Sequence, residues 1–114
     1  MSDTPVSKFK IPIAKVFVDL EGKDMIEPGP DGPRAITLGL VLGGAMLSDV
    51  KPEGGTLTIL DRLELARRFR GSKSPEIKVS TNEEVKKIVK EAFKNSPLIA
   101  GQALECLGDV PSDL

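Results

Sequence analysis

The sequence predicts an α+β domain: an N-terminal β-hairpin, three to four helices, and a short strand between the two central helices. Three observations carry this. Near the N-terminus, Phe9, Ile11 and Ile13 alternate with Lys10, Pro12 and Ala14, the period of a half-buried strand. Residues 57–69 and 80–93 place apolar side chains at three- and four-residue spacing, the period of an amphipathic helix. Between them, Glu76-Ile77-Lys78-Val79-Ser80 alternates again like a strand. A length of 114 residues suits one domain. Residues 9–108 are assigned to it, with 1–8 a flexible tail and 109–114 a short polar tail.

The first strand runs over residues 9–20. Pro12 has no N–H to donate, which places this part at an edge or a strand start. Glu21-Gly22-Lys23-Asp24 supplies the hairpin turn, and Met25-Ile26 begins the return strand. Glu27-Pro28-Gly29-Pro30-Asp31-Gly32-Pro33 reads as an irregular surface loop. It is no phosphate cradle, because the Walker spacing is missing and prolines remove the N–H groups a phosphate needs.

Thr37 is placed to cap a helix reaching Leu47. That helix is apolar nearly all round, so it must be buried, in the chain or against a partner. Gly39 and Gly43 share one face and allow a close backbone approach. With Leu38, Leu42 and Met46 they are the interaction candidates. Packing within the chain is the favoured use, and a self-association seam is the alternative.

Residues 48–56 form a loop. Thr56 or Thr58 caps the next helix, which turns Leu57, Leu60, Leu63, Ala66 and Phe69 inward, with Ile59 and Leu65 widening that face. Glu64 is spaced to pair with Arg67 and Arg68. Arg67, Arg68 and Arg70 suit the negative end of the helix dipole, and Gly71 stops the helix. The short strand at 77–79 is expected to extend the hairpin sheet. A capping box, either Ser80 with Glu83 or Thr81 with Glu84, starts the following helix. It buries Val85, Ile88, Val89, Ala92 and Phe93. Ser96 and Pro97 open the last helix, and Gly108 ends it.

Composition excludes several functions. The net charge of −1 offers no bulk attraction to nucleic acid or an anionic membrane. Base stacking would fall to the four phenylalanines, Phe9, Phe17, Phe69 and Phe93, since Tyr and Trp are absent. The absence of His removes the commonest general base and metal ligand. A single cysteine, Cys106, permits no internal disulfide. Its apolar neighbours and lack of a local base mark it as structural. The polar N-terminus lacks a signal-peptide pattern, and the longest apolar stretch, 36–47, is about half a membrane span. A cytoplasmic location is expected.

The 57–93 stretch has the outline of a calcium-binding hand, but its loop offers one carboxylate among cations where calcium needs several oxygens. As a helix-turn-helix it is too long between helices, and its second helix carries too many carboxylates to face phosphate. Arg62, Arg67, Arg68, Arg70 and Lys73 are the anion-binding candidates, since guanidinium forks suit phosphate and carboxylate. A solvated helix face is the simpler use for them. The carboxylates Asp19, Glu21, Asp24, Asp31 and Asp61 form no recognisable catalytic pair. No enzyme activity, cofactor or metal is indicated.

One pattern spans residues 15–107. Val18-Asp19-Leu20-Glu21-Gly22-Lys23 precedes Ile36-Thr37-Leu38-Gly39 and Leu63-Glu64-Leu65-Ala66. Ile77-Lys78-Val79-Ser80-Thr81-Asn82-Glu83-Glu84 follows, and then Pro97-Leu98-Ile99-Ala100-Gly101-Gln102. In order and spacing this resembles small, mostly uncharacterised proteins of tailed bacteriophages and prophages. The resemblance implies a cytoplasmic protein acting by binding, in virion assembly or against a host system, and brings no catalytic residues. The expected function is thus a non-enzymatic protein-binding module, homo-oligomeric, with a host or phage protein as partner. The alternative is a small-anion or nucleotide-signal binder that uses the arginine-rich helix end.

Overall fold

The computed structural model describes residues 8–112. The fold is α+β, with an N-terminal two-stranded hairpin, four helices and a short strand between the second and third helices. The elements are β1 (Lys8–Lys10), β2 (Ile26–Gly29), β3 (Gly32–Ala35), α1 (Leu38–Met46), α2 (Ile59–Phe69), β4 (Glu76–Lys78), α3 (Val79–Ala92) and α4 (Pro97–Cys106). The flexible tail expected over residues 1–8 lies outside the described residues except for Lys8, which opens β1.

The hairpin forms where an irregular loop was expected. β2 pairs antiparallel with β3, with Pro28 opposite Pro33 and Gly29 opposite Gly32 around the Pro30-Asp31 turn. Ile36 N–H donates to the Met25 carbonyl, so Met25/Ile36 is a bonded position of the ladder. Bonded and non-bonded pairs alternate. Pro28 and Pro33 then occupy a non-bonded pair, where an N–H would point away from the partner strand. The prolines cost the hairpin no ladder bond, which is why it tolerates both. Glu27 and Arg34, on the next pair, close a 3.2 Å ion pair across the strands.

The turn expected over residues 21–24 is present, but only isolated bridges flank it. Val18 bridges Asp24, and Val16 bridges Thr37. Asp19 Oδ1 accepts from the N–H groups of Glu21 and Lys23, closing the turn. One side chain takes the role of the missing strand. Gln102 Oε1 accepts from Val18 N–H (2.9 Å), and its Nε2 donates to the Val18 carbonyl (2.8 Å). The α4 amide thus pairs with the extended backbone as a neighbouring strand would.

The strand between the central helices, β4, joins the start of the segment expected as the first hairpin strand, in a sheet separate from the β2–β3 hairpin. It pairs antiparallel with β1, setting Phe9 opposite Ile77. Ile11 N–H then bonds to the Pro75 carbonyl and continues that contact.

α1 is the hub. It packs on α2, α3 and α4, and Leu38, Leu42, Ala45 and Met46 are almost completely buried. Thr37 Oγ1 accepts from Leu40 N–H, the expected cap. α1 meets α2 through glycine. A Cβ at Gly39 would fall far inside contact with the Phe69 carbonyl and 3.2 Å from Ile13 Cβ. A Cβ at Gly43 would meet Arg70 Cγ at 2.6 Å. Thr58 resolves the choice of cap on α2. It forms a capping box with Asp61, leaving Thr56 and Leu57 outside the helix.

α3 starts earlier than its capping signals indicate. It follows β4 directly at Val79, so Ser80 and Thr81 lie within its first turn and no side chain caps it. Glu84, freed from capping duty, reaches another loop. Ser96 makes no capping bond either, and Pro97 begins α4 as expected. Nor is the polar C-terminal stretch a free tail throughout. Asp109 bonds Lys86 at 2.8 Å, its N–H bonds the Leu104 carbonyl, and Gly108 turns the chain at φ +98°. The bonds of Lys86 to Asp109 and Glu83 push its ammonium above the usual lysine range.

The α1–α2 contact gives a clean test. Gly39→Ala should lower stability by about 1–3 kcal/mol, because the added methyl meets backbone that cannot rotate away. Gly44→Ala faces open space in the same helix and should raise stability by up to about 1 kcal/mol. Urea unfolding of the two variants measures the difference.

Candidate functional site

The arginine cluster does not form one site. Arg62 serves the fold. Its Nε donates to the Met46 carbonyl at 2.9 Å, and Nη2 donates to the carbonyls of Ala45 (3.1 Å) and Ser48 (2.9 Å). Nη1 donates to the Val50 carbonyl. A helix leaves its last four carbonyls without partners inside the helix. One guanidinium from α2 therefore caps the C-terminal end of α1 and ties down the loop that follows.

The other cations diverge. Arg68 pairs with Glu64 at 2.9 Å, the i,i+4 pair that the spacing indicates, with both side chains half exposed. Arg70 lays its stem across Gly43. Arg62, Arg68 and Arg70 line three different clefts. Arg67 and Lys73 are exposed. The cleft holding Arg68 carries Lys8 and Lys78 against Asp61, Glu64 and Glu76, a balanced set of charges that selects no anion.

The apolar interaction candidates are covered by the chain itself. Leu38, Gly39, Leu42, Gly43 and Met46 are all buried. They make the core contacts of α1 and present no surface to a partner. Large apolar residues that stay exposed lie elsewhere: singly at Leu20, Ile26, Leu47, Val79 and Val110, and consecutively on α2. Ile59 and Leu60, in the first turn of α2, are 80% and 75% exposed. Helical periodicity counted both as inward-facing, but the face that packs on α1 is set by Leu65, Ala66 and Phe69. Leu60 falls on the outer side of a helix that starts only at Ile59.

Ile59 stands at the rim of a cleft of about 280 Å³ between the 51–58 loop, the start of α2 and α3. Its apolar lining comes from Pro52, Leu57 and Ile88. Lys51 and Lys87 stand at its edges. Glu84 fastens one wall. Its Oε2 accepts from the Thr56 hydroxyl at 2.7 Å, and its Oε1 accepts from Thr56 N–H. Partial burial tends to raise the Glu84 carboxyl. The bonds from Thr56, with Leu57 N–H and Lys87 adding to them, outweigh this and hold it below its ordinary range. None of this wall was read from the sequence. The only signal was Glu84 itself, placed in a capping box that does not form.

Cys106 lies in a separate cleft with Lys15, Phe17 and Gln102. Burial pushes its thiol up, and the nearby Lys15 offsets only part of that. The thiol is therefore a weak nucleophile at neutral pH. Among the described residues, no three His, Cys, Asp or Glu side chains gather as a metal site, and no helix is long and apolar enough to cross a membrane. No family model, curated protein or solved structure matches the chain.

Two outcomes follow for the walls of the cleft. Arg62→Ala should cost about 1–3 kcal/mol in urea unfolding, because it removes the guanidinium donors from the Met46, Ser48 and Val50 carbonyls, and Arg62→Lys should recover only part of it. Because the Glu84 carboxyl sits below its unfolded value, its contribution is present above the ordinary glutamate range. It is lost as pH falls through the depressed value. Glu84→Gln should flatten that acid limb in unfolding curves recorded across pH.

Proposed function

We propose that this chain is a non-enzymatic protein-binding module whose contact surface is the first turn of α2 and the cleft beside it. The observation that carries this is Ile59, 80% exposed and lining an apolar-walled concavity, with the exposed Leu60 following it on the outer side of α2. Single exposed aliphatic residues are common on any surface. A large exposed one that also lines an apolar cleft, with a second following it, marks a place where a partner gains by excluding water. The buried α1 supports no competing surface, and the dispersed arginines favour no anion site. In the setting that the phage-type resemblance implies, the partner is a virion component, a host factor or a second copy of the chain.

The double variant Ile59→Ser/Leu60→Ser tests this. Both side chains are solvated, so stability should change by no more than about 0.5 kcal/mol. Light scattering on size-exclusion peaks and affinity capture with mass spectrometry are then run on wild type and variant. The expected result is an oligomer or a retained protein that the variant loses. A wild-type monomer whose captured proteins the variant retains equally overturns the proposal.

A further inference from the structure

The cleft beside α2 has a charge pattern that selects its occupant. Lys51 and Lys87 are both exposed at its rim. Among the described residues, neither has a carboxylate within ion-pairing distance. Arg62 adds a third positive charge to the lining, and its partners are carbonyls and a hydroxyl, none of them anionic. Opposite these stands one carboxylate, Glu84, already engaged by Thr56. Asp61, in the first turn of α2, lines the neighbouring cleft and not this one. The lining thus carries three cations against one carboxylate, Glu84, which Lys87 also attracts, and Leu57 and Ile88 add an apolar wall.

Size limits the guest as well. At about 280 Å³ the cleft falls just below the usual range for drug-sized ligands. It admits one or two side chains, not a helix or a folded lobe. A guest must present an anion to the lysines and a branched aliphatic group to Ile88, with a further aliphatic contact available at Ile59. Nucleic acid lacks the second feature, and the lining holds no aromatic ring on which a base could stack.

We propose that this cleft takes a short acidic segment of a protein partner, in which a carboxylate side chain stands beside a large aliphatic one. The inference rests on the protein-binding reading above and names the chemistry of the partner at that surface. Lys51 and Lys87 steer and hold the carboxylate, and Leu57 and Ile88 receive the aliphatic group. Arg62 contributes its charge through space while its hydrogen bonds stay with α1.

The probe is an acetylated peptide, Ser-Gly-Glu-Leu-Asp-Leu-Gly-Ser, titrated into labelled protein and followed by amide chemical shifts. Its neutral counterpart, with Gln and Asn for Glu and Asp, and a single-stranded oligonucleotide are run beside it. The acidic peptide should move the amides of Leu57, Ile59, Lys87 and Ile88, with a Kd at or below about 1 mM. Lys51→Gln/Lys87→Gln should weaken it at least about fivefold, as should raising salt from roughly 0.05 to 0.5 M. A thermal melt confirms that this variant is folded. Equal binding of the neutral peptide, shifts confined to another face, tighter binding of the oligonucleotide, or no shifts at about 2 mM peptide each overturns the inference. If the peptide fails while Ile59→Ser/Leu60→Ser still loses a partner, only the acidic chemistry is wrong. If the double variant loses nothing, the protein-binding reading itself falls.

Discussion

The guanidinium of Arg62 is the contact on which the rest of the domain depends. α1 packs on three other helices, and the carbonyls at its C-terminal end have no partners within the helix. Each such group left without a partner costs on the order of 1–3 kcal/mol. Arg62 satisfies the carbonyls of Ala45, Met46, Ser48 and Val50 at once. It projects from α2, so the same bonds that cap α1 also fix the two helices against each other. They order the start of the 48–58 loop, whose far end Glu84 then clasps from α3. The walls of the cleft are thus a by-product of capping a buried helix.

That dependence reassigns the residues with the most evident chemistry. Clustered arginines in a sequence suggest an anion site, and a near-uniformly apolar helix suggests a partner. Here the most buried arginine of the cluster binds the apolar helix, and each accounts for the other. A helix that fills the centre of a small domain needs a charged group from elsewhere to close its end. The glycines serve the same packing. Gly39 lets the Phe69 carbonyl approach α1 directly, and Gly43 leaves room for the stem of Arg70.

Much of the fold was legible in the residues. Periodicity located α2 and α3, because their buried stripes come from local repeats, while composition and end signals marked α1 and α4. Thr37 and Pro97 marked the starts of those two. What was not legible depended on contacts distant in sequence. The hairpin was hidden because Pro28 and Pro33 read as breakers, and only pairing register reveals that both face outward. The start of α3 was misplaced because β4 runs straight into it, overriding the capping signals of Ser80 and Thr81. At the candidate site, Lys51, Pro52, Leu57 and Lys87 come from segments with no motif in common. Only the closure of the loop against α3 brings them together.

The Gln102–Val18 pairing bears on how the chain is made. Its two residues are 84 positions apart, and the β1–β4 ladder joins Phe9 to Ile77. Synthesis from the N-terminus exposes the 9–20 segment long before either partner exists. α1 and α2 can meet early, since they are neighbours in sequence and carry the Arg62 cap between them. The N-terminal segment must wait for α4 to leave the ribosome. A helix made late thus completes a segment made early, and the domain closes only once α4 is available.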